Sequence, residues 1–225
     1  MSAKGVRVTT AIIGVGNIGS TVARHLVAGR EAVVLAAQDK THAEALANEL
    51  GPLARAASVN DAIGGSDTVV LALWLDQIKE LVPEQAAALE NKVVVDPSNP
   101  LGFDESGQML RTLPDDQSAG SIVASLLPAN THYVKAFGTL SAESLAEAAN
   151  REPRVALFYA TDDDAAATTI ERLIRAAGFD PIKAGGAAAA LRIEMPGGDL
   201  HQFGLNGELL DLDGARDAAA RKATA

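Results

Sequence analysis

IIGVGNIG, residues 12–19, carries glycines at the spacing G-x-G-x-x-G. The stretch follows an apolar, β-branched run, Val6–Ile13, and opens a segment whose apolar residues have helical spacing, Ile18–Val27. Another strand-like run follows at Ala32–Ala37. A glycine turn between a strand and a helix, completed by a second strand within about 30 residues, is the context that a dinucleotide-binding motif requires. We therefore predict a Rossmann-type βαβ unit at the start of the chain.

Each glycine of this turn has its own expected role. Gly14 permits the tight turn, Gly16 leaves room for a pyrophosphate, and Gly19 lets the helix lie close to the strand. The backbone N–H groups at the start of the helix would then face the phosphates. A turn that merely joins strand and helix is the alternative, and the order of the elements that follow favours dinucleotide binding.

The rest of the chain alternates apolar runs with helical segments, which is typical of a doubly wound parallel sheet. Further strands are predicted at Leu53–Ala57, Thr68–Leu73, Lys92–Val95, Tyr133–Phe137, Arg154–Tyr159 and Pro181–Lys183. Helices are predicted at Ala43–Leu50, which Gly51 closes, and in the stretch that follows Leu73 and ends at Leu89. Further helices are predicted at Ala119–Leu127, at Asp164–Ala177 with Asp162 as the N-cap, and at GGAAAALRIE, residues 185–194. We expect an α/β fold: a Rossmann-like, doubly wound, mostly parallel sheet with a small C-terminal elaboration.

Two stretches lack this periodicity. Prolines interrupt the pattern at Pro97 and Pro100, and residues 101–118 are polar and Gly-bearing, which predicts a long loop. The Gly-rich segment 195–214 is expected to be a folded loop or tail, and the chain past Gly214 is expected to fray. The predicted division is a Rossmann-like NAD(P)-binding domain over residues 1–190, with residues 191–225 packing on it as a C-terminal loop or tail.

Composition excludes several classes of function. The 225 residues carry 29 acidic and 19 basic side chains, a formal charge of −10, without a Lys/Arg cluster for nucleic acid. Cysteine is absent, which removes disulfides, thiolate metal sites and a cysteine nucleophile. The acids at residues 162–164 indicate a helix start, so we expect no metal. The N-terminal apolar run is too short for a membrane span and lacks a signal-peptide cleavage region, so we expect a cytoplasmic protein without a membrane partner.

The chemistry at the ribose end of the expected dinucleotide site is ambiguous. The acid that commonly holds a ribose 2′-hydroxyl is absent from the strand end, Ala36–Gln38, and Asp39 and Lys40 come just afterwards. Asp39 would repel a 2′-phosphate, whereas Lys40 and Thr41 can bind one. An ordinary solvated turn and helix cap is the alternative. The local residues alone leave NADP and NAD open.

Five segments, taken in order, resemble one family of reductases. They are GVGNIGSTVARHLV (14–27), VVLALWLDQI (69–78), VVVDPSNPLG (93–102), VKAFGTL (134–140) and YATDDDAA (159–166). Together they are similar to the NADPH-dependent reductases of the 8-hydroxy-5-deazaflavin coenzyme F420, to their dinucleotide-binding relatives and to the reductase domain of membrane ferric reductases. The resemblance covers residues 6–190 and implies hydride transfer from NADP(H) to a flavin or deazaflavin co-substrate.

The resemblance also implies positions for the site residues. It places Gly14, Val15, Gly16, Asn17 and Ile18 on the pyrophosphate, Leu73 and Trp74 along the path from adenine to nicotinamide, and Asn99 near the nicotinamide. Phe137, Gly138, Thr139 and Leu140 would line the acceptor pocket beside Trp74 and Asn99. The chain departs from the family where Ala37-Gln38 replaces Ser-Arg on the 2′-phosphate, Trp74 replaces proline and Gly138 replaces asparagine, and at its C-terminal end.

The alternative functions differ in whether they need a proton donor in the site. Reduction of a carbonyl needs a positioned acid, and the candidates are His132, Tyr133, Lys135 and His201. His132 and Tyr133 are expected at a strand edge, Lys135 at the rim and His201 in a loop, and no pair of them has a catalytic spacing. The catalytic residues therefore stay unknown. The sequence favours an oxidoreductase with a small-molecule acceptor, and a homodimer is compatible with it; a keto or imine reductase and a non-catalytic dinucleotide sensor are the alternatives.

Two further residues have alternative interpretations. Trp74, the only tryptophan of the chain, is expected either in the core or in the wall of a pocket at the end of its strand. Asn99 stands next to Pro100 and is expected either to serve the turn or to face the nicotinamide.

Overall fold

Ten strands and ten α-helices make up the computed structural model, which describes residues 9–221. The strands are β1 (Thr10–Ile13), β2 (Val33–Ala36), β3 (Ala54–Ala56), β4 (Thr68–Leu71), β5 (Val93–Asp96), β6 (Leu101–Phe103), β7 (Met109–Arg111), β8 (His132–Lys135), β9 (Ala156–Ala160) and β10 (Asp180–Gly185). The helices are α1 (Asn17–Ala28), α2 (Lys40–Leu50), α3 (Val59–Gly64), α4 (Leu75–Glu84), α5 (Ala86–Leu89), α6 (Ala119–Leu126), α7 (Ala142–Glu147), α8 (Asp164–Ala176), α9 (Ala190–Ile193) and α10 (Leu212–Ala220). Short 3-10 turns lie at Gly51–Leu53 and Ala187–Ala189.

Eight of these strands form one sheet in the order β10-β9-β8-β5-β4-β1-β2-β3. Neighbouring strands are parallel except β8 and β9, which pair antiparallel at Lys135 and Ala160. The chain builds outward from β1 through β2 to β3, then returns to the other side of β1 with β4 and β5. The expected Rossmann-like, mostly parallel α/β fold is confirmed. Because ligands of such sheets bind where the strand order reverses, the gap between the ends of β1 and β4 is the place to look for a site.

The central strands are buried on both faces, which explains their uninterrupted apolar sequence. Helices α1 and α8 cover one face with side chains such as Leu26 and Leu173, and α3 and α4 cover the other with Ile63 and Ile78. All four of these side chains are fully buried. Burying one such side chain stabilises the fold by about 1.5–3 kcal/mol, so the two helix layers fix the sheet on which the loops are mounted.

The segment expected to be a long loop contains a β-hairpin. Strands β6 and β7 pair antiparallel, with Phe103 opposite Met109. The Asp104 carboxylate closes the turn by accepting the N–H groups of Ser106 and Gln108, each at 2.9 Å. The expectation of an irregular loop was wrong here because the strands are only three residues long and their side chains are largely exposed, so they leave little apolar pattern in the sequence.

The C-terminal residues also differ from expectation. Helix α10 continues past Gly214, where the chain was expected to fray. Asp211 caps this helix, and Ala215 and Ala218, one turn apart, pack against a cluster that includes Phe158 of β9. Small alanines give little hydrophobic signal, which is why the sequence did not indicate a buried face. The stretch 185–194 is a 3-10 turn followed by the short helix α9 instead of one helix.

Smaller corrections concern caps and helices. Asp163, not Asp162, caps α8 by accepting the Ala166 N–H at 2.8 Å. The Asp162 carboxylate turns away and accepts the N–H of Ala187. The helical stretch expected up to Leu89 is divided into α4 and α5, and α3 and α7 were not predicted at all. The first residues of the predicted strand Val6–Ile13, residues 6–8, lie outside the described part of the chain.

No helix within residues 9–221 is both long and apolar enough to cross a membrane.

Candidate dinucleotide cleft

The glycine turn joins β1 to α1 at the point where the strand order reverses. Gly14 has a φ of +95°, and a Cβ at this position would lie 2.2 Å from the carbonyl oxygen of Ala72. A Cβ on Gly19 would lie 1.9 Å from the carbonyl oxygen of Gly14, whereas a Cβ on Gly16 would meet no atom within 4 Å. Packing therefore requires glycine at the first and third positions, while Gly16 borders open space.

Helix α1 begins beside that space without a capping side chain. Its N-cap residue is Gly16, and within residues 9–221 no side chain makes a capping hydrogen bond to its first turn. Six other helices have an N-cap side chain that accepts a backbone N–H, namely Asp39, Ser58, Ser118, Ser141, Asp163 and Asp211. The N-cap residues of α4, α5 and α9, like that of α1, make no such bond. An uncapped N-terminus keeps its partial positive charge and its N–H groups available to an anion.

A cleft of about 450 Å³ opens from the glycine turn across the carboxyl ends of β1, β4, β5 and β8. Ligand sites commonly have volumes of about 300–1,000 Å³ and mostly apolar walls. The cleft is lined by Gly14, Gly16, Asn17, Ile18, Ala72, Leu73, Trp74, Gln77, Pro97, Ser98, Asn99, Leu101, Gly138, Leu140, Ser141, Ala142 and Met195. None of these described lining residues has an acidic or a basic side chain.

The structure brings together most residues that the sequence predicted for the site. Gly14, Gly16, Asn17, Ile18, Leu73, Trp74, Asn99, Gly138 and Leu140 all line the cleft. Val15, Gly19, Gln38, Asp39, Lys40, Phe137 and Thr139 are not among the lining residues. Gly19 acts through packing as described above, and Gln38, Asp39 and Lys40 lie exposed beyond the end of β2.

The acceptor-side segment after β8 presents two of its four predicted residues to the cleft. Phe137, with a φ of +63°, is completely buried in the core, and the hydroxyl oxygen of Thr139 is buried without a hydrogen-bond partner in the described part of the chain. Gly138 and Leu140 face the cleft instead. A Cβ on Gly138 would lie 2.4 Å from the carbonyl oxygen of Pro97, so a side chain at this position requires the Pro97 loop to move.

Asn99 connects three segments of the cleft wall. Its Nδ2 donates to the carbonyl oxygen of Gly138 at 3.1 Å, and its Oδ1 accepts the N–H of Met195 at 2.9 Å. The side-chain amide thus joins the loops after β5 and β8 to the segment after α9. The two interpretations of Asn99 from the sequence are compatible, because the residue serves the loop and also lines the cleft.

Trp74 stands at the rim of the cleft. Its side chain is 56% exposed and meets Phe103 of β6 edge to face, with ring centroids 6.2 Å apart and planes at 77°. The backbone N–H of Trp74 donates to Oε1 of Gln77 at 3.2 Å, which holds the start of α4. Of the two positions considered for this tryptophan, the structure shows the pocket wall and not the core.

At the ribose end of the predicted site, the two charged side chains have partners of their own. Asp39 caps α2 by accepting the N–H of Thr41 at 2.9 Å, and it also accepts the Thr41 hydroxyl. These hydrogen bonds, the hydroxyl first, lower the pKa of Asp39. Lys40 pairs with Glu44 at 3.0 Å on the exposed surface of α2. Lys40 also borders a separate cavity of about 500 Å³ along α2 and β3, away from the glycine turn.

Two of the four candidate proton donors, His132 and Tyr133, lie on β8 and do not line the cleft at the glycine turn. His132 is half-buried at the start of β8, the opposite end of that strand from the cleft, and its Nδ1 is 2.7 Å from Oδ2 of Asp163. Tyr133 donates its hydroxyl to Oδ2 of Asp96 at 2.9 Å, and burial, followed by the charge of Asp96, raises its pKa well above the usual value. The expectation that both stand at a strand edge was wrong, because β8 lies inside the sheet.

Lys135 and His201 are both buried. The Nζ of Lys135 lies 3.0 Å from Oδ2 of Asp96 and 3.0 Å from Oε1 of Glu194, so the expectation of a rim charge was wrong. Burial alone lowers the pKa of Lys135, but these two carboxylates raise it above its usual value. His201 accepts the N–H of Phe203 at its Nδ1, and burial lowers its pKa to about 4. None of the four candidates lines the described cleft.

Three residues near the cleft were missed by the sequence analysis. Asp96 and Glu194 are completely buried partners of Lys135, and Met195 lines the cleft beside Asn99. Asp96 is the last residue of β5 and directly follows three valines, and a carboxylate at the end of such an apolar strand could have indicated a functional residue from the sequence alone. Nothing local in the sequence links Glu194 to Lys135, since the contact exists only once the C-terminal segment has folded onto the sheet.

Comparisons with known proteins agree with this geometry. The family described as NADP oxidoreductase, coenzyme F420-dependent, matches residues 9–100. The metalloreductase STEAP3 of Rattus norvegicus is 28% identical over 183 residues, 81% of this chain and 35% of the metalloreductase. This chain therefore spans about a third of the length of that relative.

Solved structures extend the similarity over nearly the whole chain. A hypothetical protein from Sinorhizobium meliloti superposes with a TM-score of 0.78 at 28% identity, covering 91% of this chain and 95% of its own. A candidate F420-dependent NADP-reductase from Arthrobacter has a TM-score of 0.70 at 24% identity, covering 81% and 86%, and shows the shared fold. The resemblance seen in the sequence is thereby confirmed over residues 9–100, the part of the chain that matches the family described as NADP oxidoreductase, coenzyme F420-dependent.

Proposed function

We propose that the protein is an NADPH-dependent oxidoreductase that passes a hydride to a flavin or deazaflavin. One observation carries this proposal: a single cleft leads from the uncapped start of α1 to an apolar wall, and its described lining contains no acidic or basic side chain. The cleft thus combines a place for a dinucleotide with a place for a second ring, and it holds no group for acid catalysis.

The residues around the glycine turn fit a dinucleotide. Gly16 borders open space in which a Cβ would meet no atom, and the adjacent N-terminus of α1 has no competing side-chain acceptor. A pyrophosphate at this position would accept N–H groups of Asn17 and Ile18 and interact with the helix dipole. When bound, the nicotinamide supplies the hydride. The chain's own part is to hold it along Leu73 and Asn99, which line the cleft.

The acceptor side fits a flat, apolar ring. Leu101, Leu140 and Met195 line this part of the cleft, and Trp74 stands at its rim. Reduction of a carbonyl requires a positioned proton donor, and the four candidates have all been located elsewhere. Flavin-like acceptors can take a proton from water, and holding two rings in a reactive orientation can remove about 7–11 kcal/mol from a barrier. Positioning residues are therefore sufficient for the proposed reaction.

NADPH is the proposed dinucleotide, supported by the description of the matched family. The Asp39 carboxylate is engaged by Thr41 of its own helix, which reduces its availability to a ribose hydroxyl. Lys40, 67% exposed in its side chain, can exchange Glu44 for a 2′-phosphate. Since Ala37-Gln38 replaces the family's Ser-Arg pair, we expect only a modest preference for NADPH.

The experiment that tests the proposal is a panel of acceptors. The oxidation of NADPH and NADH by the full chain is followed with FMN, FAD, coenzyme F420, a small ketone and a small imine. The proposal expects turnover with at least one flavin or deazaflavin, and none with the carbonyl or imine. Turnover restricted to the ketone or imine contradicts it, and binding of NADPH without turnover of any acceptor favours a sensor.

A further inference from the structure

Met195 enters the cleft from a part of the chain that the family match does not cover. The match ends at residue 100, whereas Leu101, Gly138, Leu140 and Met195 all line the acceptor side of the cleft. The dinucleotide side is therefore built from the matched residues, and the acceptor side mostly from residues outside them. Most of the residues that can select the acceptor therefore belong to this second group.

The residue before Met195 is held by buried charge. Glu194 is completely buried, and its Oε2 and Oε1 accept the N–H groups of Ala119 and Gly120 at 2.9 and 2.8 Å. The same Oε1 lies 3.0 Å from the Nζ of Lys135. One carboxylate thus fastens the end of α9 both to the start of α6 and to β8.

Lys135 connects this carboxylate to the floor of the cleft. Its Nζ also lies 3.0 Å from Oδ2 of Asp96 and donates to the carbonyl oxygen of Ser98. The N–H of Ser98 in turn donates to Oδ1 of Asp96 at 2.8 Å. Ser98 lines the cleft beside Asn99, so the ammonium joins the loop after β5 to the segment after α9.

Two contacts then fix Met195 and its neighbour. The N–H of Met195 donates to Oδ1 of Asn99 at 2.9 Å, and the carbonyl oxygen of Pro196 accepts Arg111 of the β6–β7 hairpin at 2.8 Å. The flexible, polarisable side chain of methionine adapts to irregular apolar surfaces and makes favourable contacts with aromatic rings. These contacts hold such a side chain at the acceptor side of the cleft.

We propose that Met195 forms the wall of the cleft that selects the electron acceptor, and that Glu194, through its buried contact with Lys135, is the positioning residue that holds Met195 in place. The inference rests on the proposed function for the identity of the acceptor as a flat ring. It adds that the segment after α9 determines acceptor affinity, while the dinucleotide is bound independently of it.

Two variants and one matched control test this inference. Met195→Ala removes the wall directly, and Glu194→Gln keeps the size of the side chain but removes the charge that pairs with Lys135. Glu208→Gln removes a charge from an exposed position of the same C-terminal region and serves as the control. Each full-length variant is checked by its thermal midpoint, its NADP⁺ Kd from the fluorescence of the sole tryptophan, and its FMN Kd in the presence of NADP⁺.

We expect FMN Kd, and KM for FMN if turnover occurs, to rise about tenfold in Met195→Ala and Glu194→Gln, with NADP⁺ Kd changing less than twofold. Glu208→Gln should match the wild type. An unchanged FMN Kd in folded Met195→Ala overturns the inference. A Glu194→Gln variant with a lower thermal midpoint but unchanged FMN Kd shows that Glu194 is only structural. If Glu194→Gln does not fold, Met195→Ala decides the role of the wall. Glu194→Asp, which keeps the charge but shortens the side chain, then provides the second test of its support.

Absence of all turnover in the wild type contradicts the proposed function, whereas the FMN binding comparison still tests this inference. The two can thus fail separately.

Discussion

The side-chain amide of Asn99 donates to the carbonyl oxygen of Gly138 at 3.1 Å and links the loops that follow β5 and β8. Its other end accepts the N–H of Met195 at 2.9 Å. Because Gly138 has no Cβ, its backbone can lie close to Pro97, and the two loops come near enough for the hydrogen bond between Asn99 and Gly138. The acceptor side of the cleft therefore depends on one amide with both ends engaged.

Replacement of Asn99 by alanine should weaken this wall. Two hydrogen bonds are lost, each worth about 0.5–1.5 kcal/mol, so urea unfolding should show a loss of about 1–3 kcal/mol. We expect a larger rise in the FMN Kd than in the NADP⁺ Kd. Equal effects on both ligands would contradict a specific role of Asn99 in the acceptor wall.

A bulky residue at Gly16 should abolish dinucleotide binding without unfolding the chain. A Cβ there meets no protein atom, so Gly16→Val is tolerated by the fold, but its side chain occupies the space in which we place the pyrophosphate. Gly64→Val, also at a glycine with no atom within 4 Å of a Cβ, is the control. Unchanged NADPH affinity in folded Gly16→Val removes this site.

Lys40→Ala should affect the two dinucleotides differently. An exposed ion pair is worth about 0.2–1 kcal/mol, so the NADPH Kd should rise about 1.4- to fivefold while the NADH Kd stays the same. The measurement is tryptophan fluorescence titration at low ionic strength, where the effect is largest. Tighter binding of NADH than NADPH, with no effect of the substitution, would show that neutral contacts govern the ribose.

His201 should make the stability of the fold fall in mild acid. Burial lowers its folded-state pKa to about 4 from 6.5, so between these values the unfolded chain binds more protons than the folded one. Stability from this group is present above pH 6.5 and decreases as the pH falls towards 4. Between pH 7 and pH 5 we expect His201 to account for about 2 kcal/mol of lost stability. The check is urea unfolding of wild type and His201→Gln at both values; equal losses in the two proteins contradict it.

The sequence predicts the parts of this fold that depend on local pattern. The strands around the glycine turn have uninterrupted apolar runs, and glycine spacing identifies the turn itself, so both were predictable. The β6–β7 hairpin and α10 were not, because exposed short strands and small alanines carry little periodic signal. The ion pair of Lys135 with Glu194 could not be predicted from the sequence either, since it depends on the tertiary packing of distant segments.

The predicted site residues also divide into those that local pattern places correctly and those that depend on tertiary structure. Residues fixed by the turn, such as Gly16, lie where the sequence indicates, while the acceptor segment after β8 places Phe137 in the core and Gly138 at the cleft. The left-handed backbone of Phe137 interrupts strand alternation, which local reasoning did not detect.

Transfer of labelled hydride tests the central claim most directly. NADPH carrying deuterium at nicotinamide C4 is incubated with the full chain and either FMN, coenzyme F420 or a small ketone, and the products are analysed by mass spectrometry and NMR. F420 keeps the transferred label at a carbon atom, whereas reduced FMN exchanges it with solvent, so FMN is scored by loss of the label from one face of NADPH together with flavin reduction. The account predicts stereospecific loss of deuterium from NADPH with reduction of F420 or FMN, and no label in the ketone product. Deuterium found in the alcohol, with neither ring compound reduced, would contradict it.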